Sequence, residues 1–225
     1  MKQLTLIRHG QAGNRIVYDQ LSALGEQQAA ALGRWFHDNG IGFDLVISGG
    51  LERQRSTAAA ISKNFVVDPR WNEFDLDAVY AGLAGQLADE DAAFREEFAD
   101  LQRDMADPEH SVHRHWRNCD TTVVRAWISG KYEFGGESHA VFQARIAAGL
   151  AGLPHAEHIA VVTSATPIGL CCAMALDLSP LRTMHMAAAV VNTGFSEFVM
   201  SERTGLRLAT FNNSPHLQAA ERSAR

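Results

Sequence analysis

Short, mainly apolar runs alternate along this chain with longer stretches in which apolar residues return every three or four positions. Leu4 to Ile7 is one such run and closes on Arg8-His9-Gly10; Phe43 to Ile47 is a second and closes on Ser48-Gly49-Gly50. Short, mainly apolar strands suit a sheet covered on both faces, so both are predicted as core strands that end in loops. Between them Leu21, Leu24, Gln28, Leu32, Trp35 and Phe36 share helical spacing, and Asn39-Gly40 supplies the stop. A second helix is predicted from Leu51 to Lys63, followed by a short strand at Phe65 to Val67 that ends before Pro69. The rhythm then breaks. From about Asp75 to Phe134 the sequence is acidic and then basic, with alanine-rich helical stretches over Ala88 to Met105 and Asp120 to Ile128 and no strand pattern. Alternation returns with a helix at Ser138 to Leu153, a strand at His158 to Thr163 and a helix at Pro167 to Leu176. Strands at Gly194 to Met200 and Leu206 to Phe211 form a hairpin around Glu202 to Gly205. The expectation is a single α/β domain over residues 1–225: a three-layer α/β/α sandwich on a mostly parallel, doubly wound sheet, with a helical insertion at about 75–134.

Composition narrows the function classes. With 225 residues, 46% of them apolar, the chain is long enough for one sizeable core. A net charge of −6 argues against a broad nucleic-acid or anionic-membrane surface, while a few clustered arginines still suffice to hold a small anion. The apolar run before Arg8 is too short for a signal peptide or a membrane span, which makes a cytoplasmic location the default expectation. Three cysteines, two of them the adjacent Cys171 and Cys172, form no disulfide framework and are expected as buried apolar side chains.

Open α/β sheets collect ligands at the carboxyl ends of their strands, where this pattern puts Arg8, His9 and Gly10. An isolated Arg-His-Gly is common. Here it stands in an ordered series: Leu6-Ile7-Arg8-His9-Gly10-Gln11, Asn14, Leu21 to Ala29 (LSALGEQQA), then Ser48 to Arg53 with Thr57-Ala58. With Glu73, Gly136-Glu137-Ser138, Asn192 and His216-Leu217, this series resembles the histidine phosphatase (phosphoglycerate mutase-like) superfamily over roughly residues 1–75 and 135–217.

That resemblance implies a metal-independent phosphatase acting on a small phosphorylated substrate through a phosphohistidine at His9, with no cofactor and no nucleic-acid or membrane partner. Neutral His9 is the implied nucleophile, with its second ring nitrogen fixed by a backbone carbonyl. Arg8 and Arg53 are implied to grip the non-bridging oxygens, since a planar guanidinium binds them in pairs and stays charged. Asn14 is a further donor to phosphate or a turn residue, and Gln11, Ser164 and Ala165 are candidate phosphate contacts. Glu73, flanked by Trp71 and Phe74, stands where the family carries its general acid, with Asp75 and Asp77 as alternatives.

The pattern departs from the family at one point. A second histidine usually follows the penultimate core strand, whereas this chain reads Val161-Val162-Thr163-Ser164-Ala165-Thr166-Pro167. Ser164 donates one hydrogen bond but carries no charge, and loss of one such donor costs on the order of 10² to 10³ in rate. Three readings follow: Ser164 suffices for a slower phosphatase, another histidine (His139, His110, His113 or His115) substitutes, or the protein binds phosphoesters without turning them over. The His110 to His115 run is a poor metal set, because His115 leaves the face shared by His110 and His113. Arg114, Arg117, Arg125 and Lys131 either read an anionic substrate or form a solvated face. Mutase-type transfer is the weakest of the implied activities. The last two strands leave a sheet edge, so a homodimer stays open.

Overall fold

The structure, a computed structural model, describes residues 2–13, 18–106, 117–201 and 203–224. Asn14, His110, His113, Arg114, His115 and the turn residue Glu202 therefore lie outside the described residues. The described parts of 1–13, 17–73 and 145–225 make up one compact unit, and those of Phe74–Ala144 a second.

The first unit is built on six strands, β1 (Lys2–Arg8), β2 (Leu45–Ser48), β3 (Val66–Val67), β4 (His158–Thr163), β5 (Phe195–Ser201) and β6 (Gly205–Asn213), in the order β3-β2-β4-β1-β5-β6. Pairing is parallel from β3 to β1 and antiparallel at β1–β5 and β5–β6. The sheet is thus mixed, because the short connection between β5 and β6 permits only an antiparallel hairpin. β1 and β4 are buried over their last five residues, as their apolar runs require. Ile7, Val46, Ala160, Val162 and Phe195 pack with Leu32 and Phe36 of α1 (Ala23–Asp38) and Ala58 of α2 (Glu52–Ile61) on one face. Strand alternation sends Leu4, Leu6 and Val161 to the opposite face, and α7 (Ala165–Leu176) buries Ile168, Leu170, Cys171 and Cys172.

The second unit holds α3 (Leu76–Glu90), α4 (Ala92–Ala106) and α5 (Asn118–Ser129); α6 (His139–Ala151) begins within it. The helical stretch expected from Ala88 to Met105 is instead divided at Asp91. Its amide still donates to Leu87, while its carboxylate accepts from the amides of Ala93 and Phe94, so one residue ends α3 and starts α4. A further helix, α8 (Pro180–Ala189), was absent from the sequence pattern. Its Ser179 cap and Pro180 at the first position were the legible signals. Among the described residues no helix is long and apolar enough to cross a membrane.

Candidate active site

The carboxyl ends of β1, β2 and β4 lie side by side, since the three strands are parallel neighbours. Backbone bonds join the segments that leave them: the His9 amide donates to Thr163 at 2.9 Å and the Gly49 amide to Val162 at 2.9 Å. α1 and α2 close this edge. A Cβ on Gly25, in the first turn of α1, would stand 2.1 Å from the Gln11 carbonyl, and one on Gly10 would stand 2.5 Å from the Gly25 carbonyl. Two glycines thus let the helix rest directly on the loop after His9.

His9 is 5% exposed and both its ring nitrogens are engaged. Nδ1 lies 2.7 Å from the Gly10 carbonyl oxygen and Nε2 lies 3.2 Å from Nε of Arg53. A carbonyl only accepts and a guanidinium only donates, so this pair of partners selects the tautomer with Nδ1–H and a lone pair on Nε2. Burial, followed by the charges of Arg53 and Arg8, holds the His9 pKa well below the ordinary 6.5. The ring is neutral at physiological pH, with its nucleophilic lone pair directed at a cation.

Arg53 connects the His9 ring to the surface. Its Nη1 is 2.8 Å from Oδ1 of Asp19, whose Oδ2 accepts the Glu52 amide at the start of α2, and its guanidinium lies 5.2 Å from the Tyr18 ring. Thr57, one turn further on, donates to the Arg53 carbonyl and accepts the Gly10 amide. α2 thereby positions the arginine and the loop together. Neither Asp19 nor Tyr18 carried a sequence signal; both lie in an irregular stretch before α1.

Ser164 is buried, and its Oγ accepts from Nε2 of Gln54 at 2.9 Å. Ala165 opens α7 beside it, and the Thr166 amide donates to Oε2 of half-buried Glu73 at 3.1 Å. The carboxyl group of Glu73 therefore rests on the first turn of α7, beside Ser164. The Gln11 amide donates to Gln28, and its side-chain oxygen accepts from the Ser22 hydroxyl, so its side chain fastens the loop to the α1 cap. Arg8 is buried as well. Its Nη1 donates to the Val190 and Ala224 carbonyls. Asn192, fully buried, donates from Nδ2 to the His9 carbonyl, and Thr193, at φ 56°, donates its amide to the carbonyls of Arg8 and His9.

In the second unit, buried His139 packs edge-on against Trp127 at 5.0 Å, and its pKa is lowered by burial. Arg117 and Lys131 are ion-paired there with Asp104 and Glu90, the arrangement of a solvated face.

The sequence profile of the histidine phosphatase superfamily (branch 1) matches residues 4–127, more than half of the chain. A search of curated protein sequences returned no match. Among solved structures, the fold resembles phosphoserine phosphatase from Entamoeba histolytica, solved as a histidine-to-alanine mutant with phosphoserine (20% identity, 97% of this chain and 100% of that one, TM-score 0.63). It also resembles the α-ribazole phosphatase from Shigella flexneri (22%, 94% and 96%, TM-score 0.60). A third is a mycobacterial glucosyl-3-phosphoglycerate phosphatase in complex with inorganic phosphate (20%, 97% and 100%, TM-score 0.60).

Proposed function

The chain belongs to the histidine phosphatase superfamily, and from that premise we propose that it is a phosphatase that hydrolyses a phosphate monoester through a phosphohistidine at His9. The observation that carries this reading is the ring of His9 itself: buried, neutral, with Nδ1 occupied by a carbonyl and the Nε2 lone pair beside a guanidinium. In the first step that lone pair attacks phosphorus, an N–P bond forms and the P–O bond to the leaving group breaks. Arg53 moves from the ring to the non-bridging oxygens, supplying fixed positive charge where charge accumulates. Glu73 gives a proton to the leaving oxygen. A water then attacks the phosphohistidine, returns a proton to Glu73, and releases phosphate and neutral His9.

Arginine does in this scheme what a divalent metal does in many phosphoryl-transfer sites. The test is hydrolysis of a small aryl phosphate with chelator present, comparing native chain, His9→Ala and Glu73→Gln across pH 5 to 8. We expect chelator-resistant turnover that His9→Ala abolishes and Glu73→Gln slows. Because His9 is held neutral, its contribution to kcat/KM stays level from pH 8 down through 6.5 and falls only below that.

Ser164 favours a second reading, a protein that binds phosphoesters without turning them over, because a buried serine already held by Gln54 supplies no charge to the transferring group. Phosphate binding that depends on Arg53, with no turnover and no trapped phosphoenzyme, would select it.

A further inference from the structure

The segment after β6 runs back to the nucleophile. Ser223 sits between two carboxamides, those of Gln28 and Asn192, which are 1% and 0% exposed. Its Oγ accepts from Nε2 of Gln28 at 3.0 Å and donates to Oδ1 of Asn192 at 2.9 Å. On their far sides, Oε1 of Gln28 accepts the Gln11 amide at 2.9 Å, and Nδ2 of Asn192 donates to the His9 carbonyl at 3.1 Å. Every bond in this chain has one direction. It runs from the Gln11 amide through Gln28, Ser223 and Asn192 to the carbonyl of His9, so the nucleophile loop is gripped from both ends.

A carboxamide presents an acceptor on one side and donors on the other, and only its partners decide which way it faces. The Gln11 amide at one end and the His9 carbonyl at the other fix which way each carboxamide faces, and the Ser223 hydroxyl, donor and acceptor at once, links the two in that arrangement. Backbone bonds hold the hydroxyl in place: the Asn192 amide donates to the Ser223 carbonyl at 2.7 Å, and Nε2 of Gln28 also donates to the Glu221 carbonyl at 2.7 Å. Arg8 donates to the next carbonyl, that of Ala224.

We propose that Ser223 is a positioning residue for the His9 nucleophile, its hydroxyl linking the two buried carboxamides that hold the carbonyl of His9 and the amide of Gln11 and supplying the donor to Asn192. This inference rests on the proposed role of His9. Without the hydroxyl, Asn192 Oδ1 loses its donor. An Asn192 turned over would then present oxygen to the oxygen of His9, and the loop shifts to relieve it. The imidazole follows, because its Nδ1 is bonded to the Gly10 carbonyl of the same loop.

The test compares full-length native chain, Ser223→Ala, Ser223→Cys and Ser223→Thr by two readouts. The first is kcat and KM for an aryl phosphate; the second is the His9 imidazole followed by NMR through a pH titration, which needs no turnover. Ser223→Ala should lower kcat by about tenfold with KM within about twofold, the scale of a displaced reacting group. Its His9 resonances should move and titrate closer to the ordinary value. Ser223→Thr should restore both readouts, and Ser223→Cys, a weaker donor, should fall between. Unchanged His9 resonances and unchanged kcat in Ser223→Ala overturn the proposal, as does a uniform loss of melting temperature with no change at His9. If the native chain shows no turnover, the catalytic reading fails and the NMR titration alone decides whether Ser223 sets the ring. Should Ser223→Ala not fold, the Cys and Thr variants carry the same comparison.

Discussion

Under the proposed mechanism, a bound phosphate has to undo two commitments of Arg53. Its Nε donates to the His9 lone pair, the proposed nucleophile, and its Nη1 is paired with Asp19. The Asp19 side chain is 51% exposed and that of Arg53 only 9%, so the carboxylate closes the pair from the solvent side. Asp19→Asn removes the competing anion while keeping the shape. Inorganic phosphate, measured by calorimetry, should bind about two- to fivefold more tightly to this variant at low salt, the range of an exposed ion pair. The gain should shrink as ionic strength rises. Equal or weaker binding would show that Asp19 orients the guanidinium rather than competing for it. Asp19 was not legible in the sequence, because nothing in the order Tyr18-Asp19-Gln20 distinguishes a carboxylate on an arginine from one in water. His9, Arg53 and Glu73 were legible as members of a motif series. That Arg8 faces the carbonyls of Val190 and Ala224 was not, since those partners lie more than 180 residues away.

Among the elements, α1 shows why a close contact matters more than the helical pattern that announced it. Gly25 sits in the first turn, where any side chain meets the Gln11 carbonyl at 2.1 Å. Gly25→Ala should therefore destabilise the protein by about 1–3 kcal/mol despite alanine's better helix propensity, and should lower kcat because the loop bearing His9 moves. Gly85 in α3 is the converse case. It is exposed, nothing lies within 4 Å of an added Cβ, and Gly85→Ala should stabilise by about 0.5–1 kcal/mol with no effect on turnover. Thermal melts of the two variants beside native chain check both signs; a stabilising Gly25→Ala would refute the close packing. The division between α3 and α4 was missed because Ala88 to Met105 keeps a helical composition throughout, and only the bonds of Asp91 reveal that the chain turns there.

At the scale of the molecule, pH stability below neutrality follows, among the described residues, from three histidines. Burial is the main cause of the lowered pKa at His9 and His139, and it takes His216 down to about 4. The folded state thus binds fewer protons than the unfolded one between 6.5 and those lowered values, so stability rises with pH across that window. It is fully present above 6.5 and drains away as pH falls. The lowered carboxylates, Asp68 and Glu52, act in the same direction at the acidic end of that window and below it. Melting at pH 5 should come at least about 3 °C below melting at pH 7.5, and His139→Phe should flatten that slope while keeping the ring against Trp127. A higher melting temperature at pH 5 would contradict the assignment. The apolar runs and helical spacings by themselves determined the α/β class, most of the strands and helices, and the loop that carries Arg8 and His9, because hydrophobic period and turn chemistry are local. Tertiary structure alone decided the strand order, the direction of each buried amide, the Asp19 pairing of Arg53 and the return of Ser223 to the loop that carries His9. Those depend on which distant groups meet in space, and a hydrogen bond spanning two hundred residues leaves no period to read.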